Sequence, residues 1–225
     1  PQDPENPMLR VLPVLYKRSF ADGLEEGYAA PVEVRPIAVE LNDAERKEYQ
    51  RLTEEIRAFK LRRKDFASPL FTQRKMVVTM AEQKFVKLAD IVKAINKTDA
   101  PTRMFVWSEF LDALYKSKRA LDQIGVASEV VHGEMSKQQR RETFQAWGQR
   151  FEVLLICRLG EEGLDYPEVA HGIILAGAKT NRQAVQRLGR LLRPLPEKVA
   201  KLWLLFAAQT MEERLVYLID KITDE

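Results

Sequence analysis

In the string QAVQRLGRLLRP (183–194), Gln186, Arg190 and Arg193 fall four and three residues apart, so on a helix they share one face. Gly189 lets a neighbouring element approach that helix closely, and Pro194 and Pro196 end it. One amide and two guanidinium heads aimed in one direction suit a polyphosphate. Guanidinium forks match phosphate oxygens, and their charge offsets what develops on a transferring phosphoryl group. The string also fits a solvated arginine helix held by structural ion pairs. In LLICRLGEEGLDYPEV (154–169) a strand runs into a glycine-containing loop, then Asp165 and Pro167. A carboxylate beyond the end of a parallel strand can accept hydrogen bonds from ribose hydroxyls; in a simple turn, Asp165 is only a local cap. In HGEMSKQQRRETFQAW (132–147), His132 and Gly133 end a strand, and Ser136 opens a helix whose free N–H groups could hold a phosphate. A satisfied structural histidine accounts for His132 equally well.

These residues need a scaffold that brings strand ends together, and the second half of the chain reads as one. MFVWS (104–108), ASEVVH (127–132), FEVLLIC (151–157), GIILAG (172–177) and KLWLLFA (201–207) are short, mostly continuous apolar runs rich in β-branched or aromatic residues. That is the pattern of buried parallel strands. Helices are expected between and after them at 109–124, 136–148, 181–191 and 210–222. Strand–helix alternation implies an α/β fold, doubly wound, with a mainly parallel sheet and helices on both faces. Ser136 with Gln139, and Thr210 with Glu213, match capping boxes, and Thr180 or Asn181 can cap the arginine helix.

The first hundred residues differ. VEVRPIAVEL (32–41) alternates like a strand, with Pro36 arguing for an edge position. AERKEYQRLTEEIRAFKLRRK (44–64) is a long charged helix with eight basic and four acidic residues, its basic excess in Lys60, Arg62, Arg63 and Lys64. A solvated face explains that excess; so does contact with a phosphate backbone. A helix over 82–96 and the polar turn NKTDAPT complete a helical segment. Three parts follow: a linker with an edge strand (1–43), a helical segment (44–100) and an α/β domain (101–225).

Composition narrows the function classes. Apolar residues make up 45% and charged residues 31%, an ordinary globular balance. A net charge of +3, from 36 basic and 33 acidic residues, argues against a histone-like polycation but not against a local basic face. One cysteine, Cys157, excludes an internal disulfide, and two distant histidines, His132 and His171, give no metal-site spacing. No stretch approaches the roughly 18 apolar residues of a membrane span. The opening PQDPENP has neither an initiator Met nor a signal-peptide core, so the chain is expected to begin within a longer, intracellular protein, cytoplasmic in a prokaryote or nuclear in a eukaryote.

Taken in order, FVWS (105–108), HGEMSKQQRRETFQAW, LICRLGEEGLDYP and QRLGRLLRP resemble motifs IV, IVa, V and VI of the second RecA-like lobe of superfamily 2 helicases and translocases. QRLGRLLRP, preceded by GIILAGAKTNRQAV, is most similar to the XPB (Rad25) branch. The upstream YKRSFADGLEEGYAAPVEVRPIAVELNDAERKEY resembles that branch's interlobe linker, and 44–100 falls where its relatives carry a variable, thumb-like helical insertion.

The resemblance implies ATP with Mg2+ in a cleft between two lobes, and DNA as the track. Arg190 and Arg193 would be arginine fingers toward the γ-phosphate, with Gln186 reaching that phosphate or the attacking water. Asp165 would bind the ribose and Gly163 would shape its loop. Ser108, His132, Gly133, Cys157 and Arg158 would lie near the tracked strand. Cys157 replaces the usual Ser or Thr there, and a thiol is a weak donor, so Arg158 could substitute. Arg62 and Arg63 are candidates for a further DNA contact. Partners would be the protein's own N-terminal RecA-like lobe and a nuclease, repair or transcription complex.

The chain has no GxxxxGK[ST] and no DExH box. GIILAGAKT (172–180) has one residue too many before its lysine. The expectation is therefore half of an ATPase site, inactive alone. The competing readings are a degenerate lobe that only binds DNA or protein, and an unrelated α/β transferase. FVWSEF lacks the glycine-rich turn the latter needs.

Overall fold

A computed structural model of the chain describes residues 20–62, 69–98, 102–157, 169–175, 193, 195–214, 216 and 217. Helix α1 (Phe20–Glu25) leads to β1 (Val32–Val39). Three helices follow, α2 (Asp43–Arg62), α3 (Pro69–Thr79) and α4 (Glu82–Thr98). Then come β2 (Met104–Ser108), α5 (Leu111–Asp122), β3 (Ser128–His132), α6 (Lys137–Ala146), β4 (Val153–Cys157), β5 (His171–Ile174) and β6 (Ala200–Ala207). The six strands form one sheet in the order β1-β6-β5-β2-β4-β3, and every pairing is parallel.

Parallel strands need crossovers, so both faces of this sheet are covered, and β2 and β4 are buried at every residue. One face packs Met104, Val106, Val153, Leu155, Ile173 and Leu205 against Leu88, Ile91, Val92 and Ile95 of α4 and Leu114 and Leu121 of α5. The other packs Phe105, Trp107, Leu154, Ile156, Leu202 and Leu204 with Trp147 and Phe151. Trp147 lies 4.9 Å from the Phe105 ring, and its indole N–H donates to the Glu152 carbonyl at 2.8 Å. The helical residues before β2 thus divide in role, with α4 built into the sheet's own core.

At one sheet edge β1 pairs only with β6, which is where Pro36, lacking an N–H, can sit. The box at Ser136 forms as its sequence requires. The Ser136 hydroxyl accepts from the Gln139 N–H at 3.1 Å, and the Gln139 side chain accepts from the Ser136 N–H at 3.0 Å. The box expected from Thr210 to Glu213 is displaced. Glu213 accepts from the N–H of Gln209 at 2.7 Å, while Thr210 accepts from Glu212 and donates to the Ala207 carbonyl. A turn at the end of β6 holds Thr210, so the side chain of Glu213 meets the N–H one residue earlier, at Gln209, and no reciprocal Thr210–Glu213 pair is seen. Helix α3 falls within the segment expected to be helical, between the two helices placed at 44–64 and 82–96. The expected arginine helix at 181–191 lies outside the described residues. No helix among those described is long and apolar enough to cross a membrane.

Replacing Ser136 with Ala removes one member of the box and is expected to lower stability by about 1 kcal/mol. Urea unfolding followed by circular dichroism checks this; no shift in midpoint would mean α6 does not need its cap.

Candidate functional site

Because all strands run one way, β2, β4 and β3 finish side by side. Ser108 pairs in register with Cys157, and Cys157 with His132. Together with Glu109, Phe110, Leu111, Gly133 and Glu134, His132 and Cys157 line a cleft of about 230 Å3 at these carboxyl ends. The structure therefore gathers four of the expected residues, Ser108, His132, Gly133 and Cys157, at one end of the sheet.

Their side chains have distinct duties there. Ser108 is 1% exposed, and its hydroxyl accepts from the Phe110 N–H at 3.1 Å, turning the chain into α5. The buried thiol of Cys157 donates to the Glu109 carbonyl at 3.4 Å, tying β4 to the turn after β2. The His132 carbonyl accepts from the Met135 N–H at 3.2 Å, which shapes the approach to α6. His132 is half-buried and Gly133 is exposed. Helix α6 buries none of its residues, so Lys137 and Arg141 face outward just beyond the cleft. A carboxylate lining the cleft would repel an anion placed there. Here Glu109 is ion-paired with Lys75 of α3, both side chains largely buried, so its charge is met from within the lobe.

A second cluster sits where β5 and β6 finish. The ammonium of Lys84, in the first turn of α4, donates to the Leu175 carbonyl at 2.6 Å and to Glu212 Oε2 at 2.6 Å. The same carboxylate oxygen accepts from the Ala207 N–H at 2.9 Å. Burial pushes Lys84 below the ordinary lysine range, and the Glu212 carboxylate opposes that shift. Sequence reasoning missed Lys84, Glu212, Lys75 and Glu109. The signal for Lys84 was its place on the apolar stripe of α4, with Leu88, Ile91 and Ile95 four, seven and eleven residues on.

Arg193 lies elsewhere. Its carbonyl accepts from Lys198 Nζ at 3.0 Å, beside the segment entering β6 and away from the cleft at the carboxyl ends. Arg62 ends α2, and its side chain lies outside the described residues. Gln186, Arg190, Asp165, Gly163, Arg158 and Arg63 also lie outside them.

Residues 83–194 match the family described as helicase conserved C-terminal domain. The DNA 3'-5' translocase XPB2 of Sulfurisphaera tokodaii is 24% identical over 204 residues, 80% of this chain and 44% of that protein. The ATP-dependent rRNA helicase RRP3 of Encephalitozoon cuniculi is 36% identical over 75 residues, 33% of this chain and 19% of that protein. The chain thus spans less than half the length of these relatives. The SWI2/SNF2 ATPase core of Sulfolobus solfataricus superposes with a TM-score of 0.65 at 12% identity, covering 84% of this chain and 42% of that one. The same core in complex with dsDNA superposes at 0.63. Residues 83–194 are a helicase conserved C-terminal domain, and the chain that carries them is a RecA-like C-terminal lobe of the superfamily 2 helicases with similarity to the XPB branch.

Proposed function

We propose that this chain is the second motor lobe of an ATP-driven DNA translocase or helicase. It would complete, with Gln186, Arg190 and Arg193, a nucleotide site whose phosphate loop and Mg2+-holding carboxylates belong to a first lobe. The observation that carries this reading is the row of strand ends at Ser108, Cys157 and His132 in a RecA-like sheet, within the same domain as QRLGRLLRP. The sheet provides the DNA-facing end, and the glutamine–arginine string provides the groups a γ-phosphate requires. Asp165 and Gly163 would meet the ribose. The likeness to an ATPase core solved with dsDNA supports duplex DNA as the partner. Residues 1–43 would link the lobes, 44–100 would form the helical portion and 101–225 the motor lobe. Work in DNA repair or transcription within the cell would suit such a motor.

In such a site Mg2+ would be held mainly by the first lobe. This lobe positions two guanidinium groups against charge that develops as the γ-phosphoryl group transfers, and Gln186 orients the attacking water. DNA binding through the backbone would be salt-dependent and only weakly sequence-dependent.

The chain by itself is expected to show no steady-state ATPase activity; robust, DNA-stimulated turnover by the purified chain would contradict the half-site reading. In the two-lobe enzyme, Arg190→Ala should lower kcat by about 10³ to 10⁵ while ATP binding persists. Normal turnover by that variant would contradict the assignment of Arg190 as an arginine finger. Neutralising Arg62 and Arg63 together should flatten the log–log salt dependence of DNA binding by up to about 2. An unchanged slope would return both residues to a solvated helix face.

A further inference from the structure

Lys84 is 0% exposed. A sealed ammonium is a costly group to bury, and for stability alone a well-packed apolar pair serves as well or better. An apolar pair cannot fix the direction of a carbonyl, and this pair does. From the first turn of α4, Lys84 Nζ holds the Leu175 carbonyl, one residue past β5, and Glu212 Oε2. Glu212 Oε2 holds the N–H of Ala207, the last residue of β6. One cation thereby ties the ends of two neighbouring strands to a helix.

Leu175 is also where the chain leaves the sheet for Gln186, Arg190 and Arg193. At the far side of that stretch a second lysine, Lys198, 9% exposed, donates to the Arg193 carbonyl at 3.0 Å. A buried lysine therefore grips the backbone at Leu175, ahead of the string, and another at Arg193, its last arginine. We propose that Lys84, with Glu212, is a positioning residue for the nucleotide step: it sets where the chain departs from β5 on its way to the glutamine and arginines. The inference rests on the arginine reading above. Lys84 touches no substrate; it acts by fixing a carbonyl and so the starting point of the segment that does.

The test uses the two-lobe enzyme at saturating DNA. The double variant Lys84→Met/Glu212→Leu replaces the ion pair with apolar side chains of similar size. It should keep its Tm within about 4 °C of the parent. It should keep KM for ATP within about twofold, while kcat falls about tenfold or more, the signature of misplaced transition-state groups. Parental kcat, or a kcat loss matched by a comparable rise in KM or by a Tm drop of more than about 10 °C, overturns the proposal. Should the double variant fail to fold, Lys84→Gln decides, since its shorter side chain brings no ammonium to Leu175. The same selective kcat loss is expected, and parental kcat overturns the idea. Arg190→Ala assayed alongside separates the two claims. Normal turnover there overturns the arginine reading, whereas loss there with parental kcat in the Lys84 variants overturns only this one.

Discussion

A sheet whose strands all run one way and whose two faces are both buried leaves little but its strand ends for chemistry. Side chains along β2 and β4 are committed to one core or the other. Polar groups that meet a ligand in such a sheet sit at or just past the last residue of a strand. That constraint puts Ser108, Cys157 and His132 in one row. Two buried ion pairs stand at the same level. Lys75 meets Glu109 past β2, and Lys84 meets Glu212 past β5 and β6. Each pair joins an end of the sheet to a helix that precedes it in the chain. Helices α3 and α4 are thus tied electrostatically to the carboxyl ends of the sheet.

What could be read from the residues follows from locality. Fully buried parallel strands are continuous apolar runs, so MFVWS and FEVLLIC announce themselves, and β1 shows its edge position through Pro36. The Ser136–Gln139 box spans three residues and needs nothing distant. Helix α3 was not legible as a separate helix because its apolar residues, Leu70, Phe71, Met76, Val77 and Val78, form no single stripe, and it buries only Val78 and Thr79. The Thr210 box slipped because β6 continues into a turn that its local pattern does not specify.

The candidate site divides in the same way. Ser108, His132, Gly133 and Cys157 were legible as ends of runs, and the sheet brings them together. What each does was not. The Cys157 thiol holds the Glu109 carbonyl, and the Ser108 hydroxyl accepts from the Phe110 N–H ahead of α5; both bonds depend on how neighbouring strands finish. The Lys84–Glu212 pair joins residues 128 positions apart. A lysine on an apolar helical stripe hints that some acid must exist, but it cannot say which one. Only the register of β5 and β6 chooses Glu212.

On the proposed reading, this lobe reaches out with Arg190 and Arg193 toward a triphosphate bound by a first lobe. The most direct measurement is a structure of the two-lobe protein closed on DNA with ADP and aluminium fluoride, which mimics the transferring phosphoryl group. The account requires both guanidinium groups at hydrogen-bond distance, about 3 Å, from the fluoride ligands or the β-phosphate. Arginines turned inward and paired with carboxylates of their own lobe in that closed state would contradict it.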